Sequence, residues 1–236
     1  MKRKSLNIDV VTLFPQFFTS PLSESIVKIA QNKRFVKINI HNLRDYTHDL
    51  HKTCDDKPFG GGPGMVMKPE PIFECIEKIL IKHPRRRVIY LTPQGKPLYQ
   101  KKLKELSRLN GFILLCGHYE GMDQRVREHL VDEEISIGDY VLTGGEAAAL
   151  CLIDGVVRLI PGVLGNKESL RHESFQGHYL DYPHYTRPRK FRTYTVPEVL
   201  ASGNHRAVDE WRRTKAIENT RKKRKDLLLK IKKKKG

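Results

Sequence analysis

Two short apolar segments of the chain each run into a glycine-rich turn, a place where a protein backbone can come close to a ligand. Phe112–Cys116 leads into the sequence GHYEG, and the segment IGDYVL leads into TGGE. Glycine tolerates positive φ and close approach, and ligands of open α/β sheets lie outside the carboxyl ends of the strands. The pattern predicts a small-molecule site made largely of backbone, at Gly117–Gly121 and Ile137–Gly145. The alternative is two ordinary tight turns that leave buried strands.

These turns need a sheet to position them, and the rest of the chain alternates between strand and helix patterns. Strands are predicted at Leu6–Leu13, Phe35–Ile40, Val88–Leu91, Phe112–Cys116 and Ile135–Leu142. Helices are predicted between them, at Leu22–Gln31, Pro71–Lys82, Leu98–Leu109, Asp123–Leu130 and Glu146–Ile160. This alternation predicts an α/β fold with a parallel sheet. The turn at Thr92–Gly95 would add a third strand end to the same crevice.

A long polar loop, His41–Lys68, interrupts the alternation and contains three consecutive glycines. Loops beyond about 15 residues in a compact domain are usually functional or disordered. Each polar residue of the loop, taken singly, is best read as a loop hydrogen-bonding group. Together they predict a flap that faces the substrate.

The charge is unevenly distributed, although the whole chain carries +17. Residues 187–236 hold 18 Lys and Arg against 5 Asp and Glu, whereas the other 186 residues hold 26 against 22. A basic tail on a nearly neutral body favours a partner made of phosphates. Tyr185, Phe191 and Tyr194 lie among the arginines, which suits RNA because unstacked bases need aromatic faces. The alternative is a plain solvated surface, which is our interpretation of Lys230–Lys235.

Three regions follow from these patterns: an α/β domain at residues 1–162, a linker at 163–178 without periodicity, and a basic helical domain at 179–236. The last contains predicted helices at Pro197–Ser202 and Arg206–Arg224. Trp211 lies on the narrow apolar stripe of the second helix, so we interpret it as a core residue rather than an RNA platform.

Several classes of protein are disfavoured by the composition. No run of 18 apolar residues could form a transmembrane helix, and the basic start of the chain leads to no signal-peptide cleavage site. The four cysteines form no CxxC pair, so neither zinc nor a disulfide framework is supported. We expect a cytoplasmic protein without a membrane partner.

Six blocks of sequence resemble the bacterial tRNA (guanine-N1)-methyltransferase family, in family order and over nearly the whole chain: DDKPFGGGPGM, CGHYEGMDQR, DEEISIGDYVLTGGE, RLIPGVLGN, ESF and DYPHYTRP. The resemblance implies methyl transfer from S-adenosyl-L-methionine to the guanosine at position 37, next to the tRNA anticodon. It also implies a SPOUT-type fold with a trefoil knot, a homodimer, and binding of the tRNA anticodon stem-loop. The knot follows from the resemblance alone.

The resemblance also assigns residues to the methyl donor. They are Leu91, Thr92, Pro93, Gly117, Tyr119, Glu120, Gly121, Ile137, Gly138, Asp139, Tyr140, Val141, Leu142, Gly144 and Gly145. Glu120 would either offset the sulfonium charge or hold the ribose and amino groups. The family usually has a proline shortly after Gly-Gly-Glu, where this chain has Ala147–Ala149. That departure affects the pocket wall at the start of the helix.

The resemblance assigns the chemistry of the family to two further residues. Methylation of guanine N1 needs an acceptor for its proton and a group that stabilises the negative charge that builds on the adjacent carbonyl oxygen. By position these roles go to Glu173, where the family commonly has Asp, and Arg158. The alternatives are a solvated linker carboxylate and a cation at a helix C-terminus. The predicted RNA-binding residues are Asp55, Arg187, Arg189 and Arg192, and no ligand spacing supports Mg²⁺ or another metal.

Two other functions compete with this interpretation. One is a non-catalytic RNA-binding protein with a decayed pocket, which Glu173 and the alanines at 147–149 would fit. The other is the same fold acting on ribosomal RNA, which the YPHYTRP block and the GGGPGM loop disfavour.

Overall fold

The computed structural model describes residues 5–165, 173–175 and 179–232. The chain divides into two compact units, Met1–Gly165 and Asn166–Gly236. Val163, the first residue of the predicted linker, is buried in the core of the first unit. Most of the predicted linker, at 166–172 and 176–178, lies outside the described residues.

The first unit alternates strands and helices, with short 3-10 helices at Pro15–Phe18 and Leu43–Tyr46. Its elements in chain order are β1 (Leu6–Thr12), α1 (Thr19–Leu22), α2 (Ser25–Asn32), β2 (Val36–Asn42), β3 (Asp55–Asp56), β4 (Val66–Met67), α3 (Pro69–Lys82), β5 (Arg87–Pro97), α4 (Gln100–Leu106), β6 (Gly111–Cys116), α5 (Gln124–His129), β7 (Glu133–Ser136) and α6 (Glu146–Val157).

Five strands form one parallel sheet in the order β2-β1-β6-β5-β7, which confirms the predicted α/β fold. Every residue of the central strand β6 is buried, as is typical of a strand covered on both faces. Phe112 and Leu114 face a core cluster with α2 and α6, whereas Ile113 and Leu115 face one with α3. The sheet is therefore a layer between helices.

Two predicted strand ends are wrong at the edge of the sheet that β5 and β7 form. The strand predicted at Ile135–Leu142 ends at Ser136, because the Ser136 hydroxyl bonds both the N–H and the carbonyl of Gly138 and turns the chain. β5 does not stop at Leu91. It continues to Pro97 through a bulge at which Leu91 and Lys96 both pair with Ile135. Thr92–Gly95 is thus a turn within a strand.

The long loop is less irregular than its sequence indicates. It contains the 3-10 helix and a small antiparallel pair, in which Asp55 of β3 faces Met67 of β4. The loop ends at Lys68, directly before α3. Ile72, Ile76 and Ile79 lie on one buried face of this helix. This stripe follows the helical repeat and fixes the loop's exit against the sheet.

The second unit contains a hairpin of β8 (Lys190–Phe191) and β9 (Tyr194–Thr195), then α7 (His205–Lys223) and α8 (Lys225–Lys232). The helix predicted at Pro197–Ser202 is a 3-10 helix at Glu198–Ala201. Asn204 caps α7, since its side-chain oxygen accepts the Ala207 N–H at 3.1 Å. No helix in the described part of the chain is both long and apolar enough to cross a membrane.

Candidate functional site

The bulge of β5 and the carboxyl ends of β6 and β7 surround one cavity of about 380 Å³. Every residue predicted to bind the methyl donor lines it, except Asp139: these are Leu91, Thr92, Pro93, Gly117, Tyr119, Glu120, Gly121, Ile137, Gly138, Tyr140, Val141, Leu142, Gly144 and Gly145. The volume lies within the usual range of small-molecule sites. The three turns therefore form a single concave site.

Glycine is required where β6 meets the cavity. A Cβ at Gly117 would lie 2.8 Å from the ring and hydroxyl of Tyr90, and one at Gly145 would lie 2.8 Å from the Cα of Cys116. The two turns are joined directly, because the Gly145 N–H donates to the Gly117 carbonyl at 2.9 Å. Burial raises the pKa of Tyr90, which keeps this cavity-lining phenol neutral.

The turn after Gly117 adopts unusual backbone conformations. Tyr119 has φ +58° and Gly121 φ +122°. The end of the long loop pairs with this turn: the Met67 N–H donates to the Gly121 carbonyl at 2.9 Å, and the Glu120 N–H donates to the Met65 carbonyl at 3.1 Å. The structure thus brings the end of the predicted flap to the rim of the cavity.

Several lining residues lie outside the predicted turns, including Tyr90 and Arg127. The Arg127 guanidinium pairs with Glu134 at 2.7 Å and donates to Gln94 at 2.8 Å. It also lies 5.8 Å from the Tyr90 ring centroid. The sequence signal is the Arg-x-Arg shortly after GHYEG, in a segment predicted only as a helix.

A buried carboxylate at the start of α6 was also missed. Glu146 is 4% exposed and accepts the hydroxyl of Thr12 at 2.7 Å. Beside it, His118 packs between Phe14 and Tyr119, with ring centroids 4.7 and 5.1 Å away. His118 lines both the donor cavity and a neighbouring groove, whose lining also includes Phe14, Phe17 and Glu146.

Apolar side chains are exposed around the mouth of the site. Tyr140, Val141 and Leu142 are 53, 83 and 42% exposed, and Phe17 is 50% exposed. Apolar groups gathered at a concave site mark a ligand or protein contact. The mouth therefore presents a surface suited to a flat aromatic ligand or to another protein chain.

Of the two predicted catalytic residues, Arg158 is not among the residues that line this cavity. Arg158 caps the C-terminal end of α6, whereas Gly144, Gly145 and Ala148 place the beginning of that helix at the cavity. A helix of 12 residues is about 18 Å long. Glu173 is half-buried and belongs to the second unit.

The predicted RNA-binding residues are divided between the units. Asp55 lies on β3 in the first unit. Arg187, Arg189 and Arg192 are exposed in the second, and the Arg192 guanidinium lies 5.3 Å from the ring centroid of Phe191. Within the described ranges, no cluster of three or more His, Cys, Asp or Glu residues has an arrangement that could hold a metal ion.

The same unit also contains a mixed aromatic and basic cluster. The Arg212 guanidinium lies 5.2 Å from the Tyr182 ring centroid, and the rings of Tyr185 and Trp211 are 6.3 Å apart. Trp211 is half-buried, and its described ring contact is with Tyr185.

Comparison with known proteins agrees with the family resemblance of the six sequence blocks. A family profile described as tRNA (Guanine-1)-methyltransferase TrmD matches residues 6–230. A tRNA (guanine-N(1)-)-methyltransferase of Dehalococcoides mccartyi is 53% identical over 227 residues, covering 96% of this chain and 92% of its own. Proteins of the same description from Carboxydothermus hydrogenoformans and Anoxybacillus flavithermus are 54 and 53% identical, covering 94% of this chain in each case and 87 and 91% of their own.

Proposed function

The chain belongs to the tRNA (guanine-1)-methyltransferase family, and we propose from this membership that it methylates N1 of a guanine in tRNA with S-adenosyl-L-methionine as donor. The observation that carries the proposal is the convergence of three separate turns, after three different strand segments, on one cavity. We assign the target to guanosine 37, beside the anticodon, and the reaction to the cytoplasm.

The cavity suits the donor in shape and chemistry. The glycine backbone at Gly117, Gly144 and Gly145 lines the cavity and lets an adenine approach closely, and the apolar mouth can cover the faces of the adenine. Glu120 is the carboxylate among the described lining residues, so we assign it to the positively charged half of the donor. When bound, S-adenosyl-L-methionine supplies an electrophilic methyl group on a sulfonium.

The protein's own chemistry is the removal of a proton and the stabilisation of charge. We assign the first task to Glu173, whose carboxylate accepts the N1 proton as the new N–C bond forms. The second task goes to Arg158, whose guanidinium stabilises the negative charge on the adjacent carbonyl oxygen. A positioned base contributes ~10²–10⁴ in rate, and a charge-stabilising donor about 10²–10³.

We propose that the enzyme is a homodimer and that Arg158 and Glu173 of one protomer serve the cavity of its partner. The position of Arg158 at the far end of α6 from its own cavity supports this arrangement. So does the exposed apolar surface around Phe17 and Val141. We also propose that the turns are held in the trefoil knot of SPOUT enzymes, and that residues 179–236 form the tRNA-binding domain, with Asp55, Arg187, Arg189 and Arg192 in contact with RNA.

The proposal is tested with tRNA transcripts in which guanosine 36 or 37 is replaced. Methyl incorporation from labelled donor should disappear only when guanosine 37 is lost, and the product nucleotide should be 1-methylguanosine. Incorporation that survives loss of guanosine 37 would overturn the assignment of the target. The variant Glu173→Gln should bind donor normally while its single-turnover rate falls at least about tenfold, because the base is lost.

A further inference from the structure

The turn that carries Glu173 is fixed by contacts with residues that follow it. The Ser174 hydroxyl accepts the Asp181 N–H at 3.0 Å, and the Phe175 N–H donates to the Tyr179 carbonyl at 2.9 Å. Phe175 has φ +71°. Such a backbone conformation is costly for a residue with a side chain and persists where the surroundings hold it in place. The turn is therefore a defined structure next to the proposed base.

Helix α7 in turn holds the segment to which this turn is bonded. The hydroxyl of Thr220 accepts the Leu180 N–H at 2.8 Å and donates to the Ala216 carbonyl at 2.7 Å. The side-chain amide of Asn219 donates to the Asp181 carbonyl at 2.9 Å. Thr220 is fully buried, so the Leu180 N–H would lose its partner if the hydroxyl were removed.

A third contact holds the turn from the end of the same helix. The guanidinium of Arg224, which follows α7, lies 5.9 Å from the ring centroid of Phe175. Its orientation is set by a two-pronged ion pair with Asp226, at 2.9 and 2.7 Å. Cation–aromatic contacts of this kind restrict the ring that they cover. Phe175 is thus held through its backbone and its side chain.

We propose that Thr220 and Asn219 are positioning residues for methyl transfer: through Leu180, Asp181 and Ser174 they orient Glu173. This inference rests on the proposed role of Glu173 as base. Earlier in the same helix α7, Trp211 and Arg212 form the aromatic and basic cluster. Helix α7 would then bind tRNA through one part of its length and hold the proton acceptor in place through another.

The test uses three variants of the full chain. Thr220→Val removes the hydroxyl at nearly constant shape, and Thr220→Ser keeps it. Thr214→Val makes the same exchange at an exposed position of α7 and is the matched control. Each is measured for single-turnover methylation at saturating enzyme, for affinity toward donor and tRNA, and for thermal unfolding.

Thr220→Val should slow the single-turnover rate roughly tenfold or more, since small displacements of a catalytic group are that costly. Donor and tRNA affinities should stay within about twofold, and Thr220→Ser and Thr214→Val should keep the wild-type rate, because neither loses the buried hydrogen bond. A rate for Thr220→Val equal to that of the control would overturn the inference. So would a parallel loss of tRNA affinity.

A double variant separates this role from general loosening of the fold. If Thr220 acts through Glu173, adding Thr220→Val to Glu173→Gln should slow the reaction no further, because coupled residues are not additive. A further slowing would show that Thr220 acts by another route and would overturn the inference. If Glu173→Gln alone is as fast as wild type, the base assignment fails, and the positioning role fails with it. If Glu173→Gln is slow but Thr220→Val is not, only the positioning role fails.

Discussion

At the scale of single residues, Gly117 decides whether the cavity stays open. A methyl group at this position would meet the Tyr90 ring 2.8 Å away, inside the lining of the site. We expect Gly117→Ala to weaken donor binding about tenfold or more, because overpacking a tight site forces its neighbours to move. Isothermal titration with S-adenosyl-L-methionine measures the change.

The matched control for this variant is Gly165→Ala. An added Cβ there meets nothing within 4 Å, and the glycine does not need positive φ. Its donor affinity should equal that of the wild type. Equal affinity for Gly117→Ala would mean that the donor does not bind against this turn.

A second residue-scale feature is the buried Asp9 in β1. Its carboxylate accepts the Asn39 amide at 2.9 Å, contacts the His41 Nε2 at 2.9 Å and pairs with Arg86. Burial lowers the pKa of His41, and the positive charge of Lys82 lowers it further. Because the guanidinium of Arg86 already neutralises the negative charge of Asp9, the His41 imidazole is held neutral in the folded protein.

This predicts a loss of stability in mild acid. The unfolded His41 has its ordinary pKa of about 6.5, so the unfolded state takes up a proton first as the pH falls. The contribution of His41 to stability is complete above the pKa of the unfolded state. It decreases as the pH falls from there toward the lower pKa of His41 in the folded protein. His41→Gln should flatten the pH dependence of the free energy of unfolding by up to ~1.4 kcal/mol per pH unit. Urea titrations at a series of pH values give the comparison, and parallel curves would contradict it.

At the scale of elements, the start of α6 is joined to the end of β1. Thr12→Val would leave the buried Glu146 carboxylate without its donor, at a cost of about 1–3 kcal/mol in the free energy of unfolding. Thr19→Val, at an exposed site, should be nearly neutral. Urea denaturation measures both, and a neutral Thr12→Val would show that Glu146 finds another partner.

Elements also show what the sequence can and cannot predict. The apolar run of β6 and the glycines after it are local signals; the run predicted the strand correctly, and the glycine turn that follows it lines the cavity. The bond between Thr12 and Glu146 joins residues 134 apart, and no local pattern encodes it. The end of β7 was misplaced because Tyr140, Val141 and Leu142 have strand-forming side chains. These side chains are exposed at the cavity mouth instead of buried in the sheet.

At the scale of the whole molecule, the two compact units predict a division of labour. A chain ending at Gly165 retains every cavity-lining residue and should bind S-adenosyl-L-methionine. It should lose tRNA affinity together with its salt dependence, because most of the basic excess is removed. Calorimetry and filter binding at several salt concentrations measure the two. Loss of donor binding in a folded truncation would contradict the division.

The proposed dimer predicts complementation between two inactive variants. Gly117→Val damages the cavity and Glu173→Gln removes the base. If the base of one protomer serves its partner, mixed dimers regain one intact site, and randomly mixed subunits should show about a quarter of wild-type activity. Subunits are mixed by co-expression, and methyl transfer is measured. No recovery in verified mixed dimers would place both functions in one protomer.

The bond between Thr12 and Glu146 also bears on how the protein is made. The helix that this bond ties to the first strand carries Ala148, which lines the donor cavity, so the cavity cannot be complete until the ribosome has released residue 148. Contacts between such distant residues form late, because closing a long loop is slow. The nascent chain should therefore fold β1 and β2 against α2 before it has any affinity for the methyl donor. Donor present in the cell then stabilises only the finished domain, by mass action.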